Sequence, residues 1–130
     1  MNFDTDNNRY KLLVFDLDGT ILDKNTKIST RMIKLCSKLR KRNVLITIAT
    51  GRGVVPALNY AKTLGIKIPI ICLGGSLTVN PLNKDIIRET KLDKKISINL
   101  ISKLDSNYYE VGLYYGETLY INELSEWSKG

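Results

Sequence analysis

Three short apolar runs, Leu12–Phe15, Val44–Ala49 and Pro69–Leu73, constrain most strongly what this chain can fold into. Each is halted by a turn signal: Asp16-Leu17-Asp18-Gly19, Thr50-Gly51-Arg52-Gly53 and Gly74-Gly75. Short continuous apolar runs bounded in this way read as strands buried on both faces. The segments between them have helical spacing. Ser29 is placed to cap a helix over Thr30–Lys41, on which Met32, Ile33, Cys36 and Leu39 share a stripe. A second helix is expected over Val54–Leu64, with Pro56 in its first turn and Gly65 just past its end. Strand, helix, strand, helix, strand with short connections predicts an α/β fold, a Rossmann-like parallel sheet with helices on both faces. Right-handed crossovers then align the strands. All three turn signals fall at the carboxyl edge, where open α/β sheets bind their ligands.

The second half changes character. Leu77–Val79 and Ile86–Glu89 predict a small hairpin across Asn80–Asn83. Asp93 is placed to cap a helix running to about Leu104, with Ile96, Leu100, Ile101 and Leu104 expected inward. Tyr108–Tyr115 and Thr118–Ile121 predict a second hairpin turning at Gly116-Glu117. Its tyrosines read as cross-strand packing pairs, with a sugar-binding face as the alternative. The expected organisation is a disordered lead over 1–9, an α/β core over 10–81, and the beginning of an α+β subdomain over 82–130.

Composition narrows the chemistry. At 130 residues the chain holds about one domain. It has no histidine, which excludes a Ser-His or Cys-His nucleophile pair and any histidine metal ligand within it. Cys36 and Cys72 are too few for a disulfide framework or a cysteine zinc site and read as inert core thiols. Twenty basic against 13 acidic residues give +7, a balance that suits anionic partners. The cluster Arg31, Lys34, Lys38, Arg40, Lys41 and Arg42 reads as a solvated helix face with a basic last turn. No aromatics interleave with it, which argues against nucleic acid. No apolar run reaches the roughly 18 residues of a membrane span. Met1–Tyr10 is polar and lacks a signal-peptide core, so the expected location is cytoplasmic. Trp127 has no periodic partners.

The first turn signal carries the chemistry. Asp16 and Asp18 lie two apart at the end of an extended segment, so both carboxylates are expected on one side of the sheet edge. Paired carboxylates suit a hard cation, and Mg²⁺ favours one or two of them together with phosphate oxygens. An ionised aspartate is a nucleophile that needs no activating base, which suits a chain without histidine. A second carboxylate can protonate the leaving oxygen and then take a proton from water. Asp-Gly alone is an ordinary turn; its place directly after a buried strand sets this one apart. At the second strand end, Thr50 offers a hydroxyl and Gly51 a close backbone approach, beside a helix start that favours anions. Ordinary capping is the plain alternative there.

Asp16-Leu17-Asp18-Gly19-Thr20-Ile21-Leu22, Ile48-Ala49-Thr50-Gly51-Arg52 and the strand ending before Gly74-Gly75-Ser76 resemble the haloacid dehalogenase superfamily. The similarity is to its Cof-type sugar-phosphatase branch, in which a cap is inserted after the third strand. The resemblance covers about Tyr10–Glu123 and implies roles. Asp16 would be the nucleophile that forms an aspartyl-phosphate, and Asp18 the general acid and base. Mg²⁺ would bind the Asp16 carboxylate and the Asp18 backbone carbonyl. Thr50 and the Gly51 amide would hold the phosphoryl group, with Arg52 near the substrate entrance. The region from Leu82 to Gly130 would be the first portion of the cap, which sets substrate choice. The implied substrate is a small phosphorylated metabolite such as a sugar phosphate.

Two departures stand out. Gly74-Gly75-Ser76 occupies a place where relatives often carry Asn-Gly-Ala. The later lysine and the late acidic segment that complete such a site have no counterpart, and none of Lys84, Lys91, Lys94, Lys95 or Lys103 stands in a matching context. The chain is therefore expected to be the N-terminal half of such an enzyme, truncated and weakly active or inactive alone. The alternative is a non-catalytic remnant, or half of a split protein that binds a partner or a phosphorylated ligand. The strand bearing Asp16 would then be an open edge, inviting self-association or a complementing C-terminal half.

Overall fold

The computed structural model describes residues 10–104 and 108–122. The expected lead over 1–9 and Trp127 lie outside the described residues. The chain divides into two compact units, Met1–Glu89 and Thr90–Gly130.

In the first unit the three apolar runs form β1 (Leu12–Phe15), β2 (Leu45–Ile48) and β3 (Ile70–Cys72). β1 and β2 pair in parallel, Leu12 beside Leu45 through Phe15 beside Ile48. β3 joins them through a single parallel bridge, Ala49 with Ile71. It then turns back into β4 (Leu77–Val79) and β5 (Ile86–Glu89), an antiparallel set in the order β3-β4-β5. The predicted hairpin is thus the outer part of a three-stranded sheet. Short apolar runs announced the strands but not that β3 pairs with both neighbours. Through β5 this sheet also keeps residues 82–89 in the first unit.

The two helices are α1 (Thr30–Arg40) and α2 (Val54–Leu64). The Ser29 hydroxyl accepts from the Met32 amide at 3.2 Å, satisfying one of the orphan donors of α1. α2 ends at Gly65, whose φ of +66° is the left-handed conformation a helix stop favours. The Ile66 amide bonds back to the Ala61 carbonyl at 2.9 Å and closes that stop. Arg40, read from sequence as part of a solvated basic face, instead donates to the Leu64 carbonyl at the end of α2. A Cβ on Gly65 would stand 2.9 Å from this guanidinium. α1 is thereby tied to α2, and a cation lies at the negative end of a helix.

The core sits between these helices and the strands. Leu17, Ile48, Leu64, Ile70, Val79, Cys36 and Cys72 are its largest fully buried side chains, and Ala57 and Ala61 turn the small face of α2 into it. The opposite side of β1 is less covered: Leu12 is 48% exposed and Val14 50%. Among the described residues β1 pairs only with β2, so its outer edge is open.

In the second unit Asp93 caps α3 (Lys94–Lys103), accepting from the amides of Lys95 and Ile96. β6 (Gly112–Tyr115) and β7 (Thr118–Ile121) form the predicted hairpin, with Tyr115 opposite Thr118. One expectation is overturned here. Ile96, Leu100, Ile101 and Leu104 do not face a core but are all exposed. No described residue of this unit is buried. The period of a helix orients its apolar stripe, but burial requires a second layer to receive it.

Candidate active site

The end of β1 turns sharply. Asp16 is extended, and the Leu22 amide then reaches back to the Leu17 carbonyl at 3.0 Å, closing residues 17–22 into a wide turn. Gly19 takes a φ of +70°, which a side chain would strain. Leu17 and Ile21 point into the core and anchor the turn, while Asp16 and Asp18 are exposed on either side of Leu17. The Thr20 hydroxyl donates to Asp16 Oδ2 at 3.2 Å.

The end of β2 forms the adjacent wall. Thr50 is buried, and its amide bonds to the Ile71 carbonyl at 3.0 Å. Its hydroxyl oxygen accepts from the Arg52 amide at 3.1 Å, leaving the hydroxyl hydrogen to donate elsewhere. α2 starts immediately after, from Gly53, whose N-cap has no side chain to occupy the first amides of the helix. Gly51 has nothing within 4 Å of a built Cβ, so the backbone there is open to close approach.

The end of β3 is laced to this second turn. The Leu73 amide donates to the Arg52 carbonyl at 3.0 Å, and the Gly74 amide donates to the Thr50 carbonyl at 3.1 Å. Three successive residues here are left-handed, Leu73 (φ +51°), Gly74 (+62°) and Gly75 (+99°). The two glycines adopt this conformation freely, whereas Leu73 is held in it by its neighbours.

Arg52 joins the first turn to the second. Its Nε donates to Asp18 Oδ2 at 2.9 Å and its Nη2 to Asp18 Oδ1 at 2.8 Å. This fork engages both carboxylate oxygens, the strongest geometry open to an exposed ion pair. The hydrogen bonds from Arg52 pull the Asp18 carboxyl below the usual 3.8; partial desolvation opposes them, and the Arg52 charge adds to the lowering. Asp18 is therefore held in its proton-accepting form. Sequence reading placed Arg52 at the substrate entrance and did not join it to Asp18. The two are 34 positions apart, and only the β1–β2 pairing makes them neighbours. Cys72, at the base of the site, is inert: burial pushes its thiol up to about 11.

For a cation, the available donors are hard oxygens. The fork engages both side-chain oxygens of Asp18, which leaves the Asp16 carboxylate the better placed of the two to meet a cation, with backbone carbonyls as further donors. A single carboxylate with carbonyl, water and phosphate oxygens fits Mg²⁺ and excludes the soft-ligand metals. Among the described residues no group of three histidine, cysteine or acidic side chains gathers into a metal cage.

Comparison with known proteins agrees with this geometry. Residues 13–129 match the haloacid dehalogenase-like hydrolase family. The phosphatase YwpJ of Bacillus subtilis is 27% identical over 110 residues, covering 85% of this chain and 38% of that protein. A haloacid dehalogenase-like hydrolase from B. subtilis superposes with a TM-score of 0.78 at 24% identity, over 91% of this chain and 41% of the other. The subclass IIB sugar phosphatase BT4131 superposes at 0.75 with 18% identity, over 92% and 46%. The chain thus spans roughly two fifths of the length of the relatives it matches. Aspartates at the end of a first parallel strand, a Thr-Gly-Arg turn beside them and a family match across nearly the whole chain agree: this protein belongs to the haloacid dehalogenase-like hydrolase family.

Proposed function

We propose that this chain carries the nucleophile-bearing part of a Mg²⁺-dependent phosphatase acting on small phosphomonoesters, sugar phosphates among them. The observation that carries the reading is the juxtaposition of the Asp16–Gly19 turn with the Thr50–Arg52 turn at one sheet edge. Asp16 would attack phosphorus, forming an aspartyl-phosphate as the bond to the leaving alkoxide breaks. Asp18 would give its proton to that alkoxide, then take one from the water that cleaves the aspartyl-phosphate and releases inorganic phosphate. In the observed arrangement Asp18 is poised for the second of these steps, and the first requires Arg52 to let go of it. The Thr50 hydroxyl and the Gly51 amide would hold phosphoryl oxygens near the start of α2. The Asp16 carboxylate and the Asp18 backbone carbonyl would hold Mg²⁺, which supplies neutralisation of the charge between carboxylate and phosphate. A cytoplasmic location belongs to the same proposal, since phosphorylated metabolites are its substrates. Among the described residues no helix is long and apolar enough to cross a membrane.

A second reading has its own observation. The open edge of β1, with Leu12 and Val14 half exposed, favours a polypeptide that completes its site with another chain or a second copy. The α/β core over 10–81 and a cap beginning at 82 remain part of the proposal. The test is Mg²⁺-dependent phosphate release from an aryl phosphate across a range of protein concentrations. Release that Asp16→Asn abolishes supports the phosphatase. Release that rises more steeply than protein concentration supports a shared site. No release from folded chain at any concentration, with or without Mg²⁺, counts against the phosphatase activity of this chain.

A further inference from the structure

The Arg52 guanidinium, besides gripping Asp18, lies over the ring of Tyr60 with 5.5 Å to the ring centroid. The Tyr60 hydroxyl donates to the Thr26 carbonyl at 3.0 Å. Thr26 belongs to the tight loop that follows the aspartate turn and has a left-handed φ of +57°. That loop is closed on Asp23, whose Oδ1 accepts from the amides of Asn25 and Lys27 at 2.8 and 2.9 Å. Tyr60 therefore touches the support of Asp18 from two directions. Its ring backs the arginine fork, and its hydroxyl pins the loop into which the aspartate turn runs.

The geometry points to Tyr60 as a positioning residue for Asp18, acting through Arg52; this rests on the reading of Asp18 as the general acid and base. An arginine on a long flexible stem loses rotamer freedom when it holds one fork geometry. An aromatic face beneath it lowers that cost, because the ring attracts the cation and restricts where the plane can lie. Tyr60 stands one helical face above the start of α2, in register with Gly53 and Ala57, so a rigid helix couples it to the Thr50–Arg52 turn. The aromatic at that spacing is the sequence signal that could have marked it.

The test separates this proposal from the phosphatase reading. The Nε–H of Arg52 is followed by ¹⁵N NMR in the full chain, assigned by its loss in Arg52→Lys. The proposal expects an ordered signal, with a high heteronuclear NOE, in the wild type and in Tyr60→Phe, which keeps the ring. It expects a disordered one in Tyr60→Leu. On an aryl phosphate, whose leaving group needs little protonation, turnover depends on the water step that uses the forked, ionised Asp18, so Tyr60→Leu should lower kcat by roughly three- to fivefold, the scale of one exposed cation–π contact, with KM little changed. A structural role alone would lower Tm without moving the Arg52 signal or splitting kcat from KM. An Arg52 signal that is mobile in the wild type, or equally ordered in Tyr60→Leu, overturns the proposal whether or not the chain hydrolyses phosphate. If Tyr60→Leu does not fold, the wild-type chain decides: a guanidinium over the Tyr60 ring places the Arg52 side-chain protons upfield by the ring current, and their absence from that range overturns the proposal. If Arg52 behaves as expected but no variant or wild type releases phosphate, the positioning stands and the phosphatase reading of this chain fails.

Discussion

The two units of this chain have the same ingredients and differ in what they do with them. Both contain a capped amphipathic helix and paired strands. In the unit up to Glu89, α1 and α2 meet strands on a shared core, and Leu17, Ile48, Leu64 and Ile70 are excluded from water. In the unit from Thr90, the apolar residues of α3 and the tyrosines of β6 and β7 remain exposed. Amphipathic elements are a precondition for a core, and a core forms only when two layers face each other. The catalytic candidates all lie in the unit that has one. Catalytic groups must be held to within about 0.5 Å of the productive geometry, and that needs rigid elements behind them.

The largest expected contrast is in core truncation. Ile70→Ala should destabilise the chain by about 2–5 kcal/mol in denaturant unfolding, the usual cost of a cavity at a fully buried site. Leu100→Ala should change stability by no more than about 0.5 kcal/mol. Equal costs at the two positions would show that the second unit acquires a core in solution, and would break the comparison.

Thiol chemistry offers the next contrast. Cys72, pushed up to about 11 by burial, carries about a hundredfold less thiolate than a free cysteine near 9. Cys36 is buried too, and its thiol is raised chiefly by desolvation. Both should resist alkylation until the first unit opens, whereas a cysteine introduced as Ile98→Cys should label at once. Rapid labelling of Cys72 in the native chain would mean that the first unit opens as readily as the second.

Capping sharpens the comparison. Ser29→Ala should cost about 1 kcal/mol of global stability, because α1 belongs to the cooperative unit. Asp93→Ala removes an acceptor of the same kind, one oxygen that serves the amides of Lys95 and Ile96, yet should only raise amide hydrogen exchange in the first turn of α3, leaving the main transition in place.

The smallest effect is with pH. The Asp18 carboxyl is lowered in the folded chain, so its contribution to stability is present above pH 3.8 and disappears as the pH falls through the lower folded value. The pair is exposed, so the effect should be small and weaken with salt. Arg52→Gln should remove it, which acid titrations of the two proteins, followed by circular dichroism, would detect.

Much of this was legible in the chain itself. Apolar runs ended by turn signals located β1, β2 and β3; burial on both faces was also expected, but β1 keeps Leu12 and Val14 half exposed, because nothing among the described residues covers that side. Ser29, Asp93 and Gly65 marked helix ends through local hydrogen bonding and backbone freedom, which depend on near neighbours only. The two exposed aspartates at a strand end were legible for the same reason. What depends on chain segments far apart was not. The Arg52–Asp18 fork, the grip of Arg40 on Leu64 and the contact of Tyr60 with Thr26 each join residues 24 to 34 positions apart. Only strand pairing and helix packing bring them together, and no local pattern encodes which arginine finds which acceptor. The sequence alone determined the elements and the place of the carboxylates. Tertiary structure decided which elements found a partner layer, and therefore which unit holds a core, because burial is a property of two surfaces and a periodic stripe describes only one.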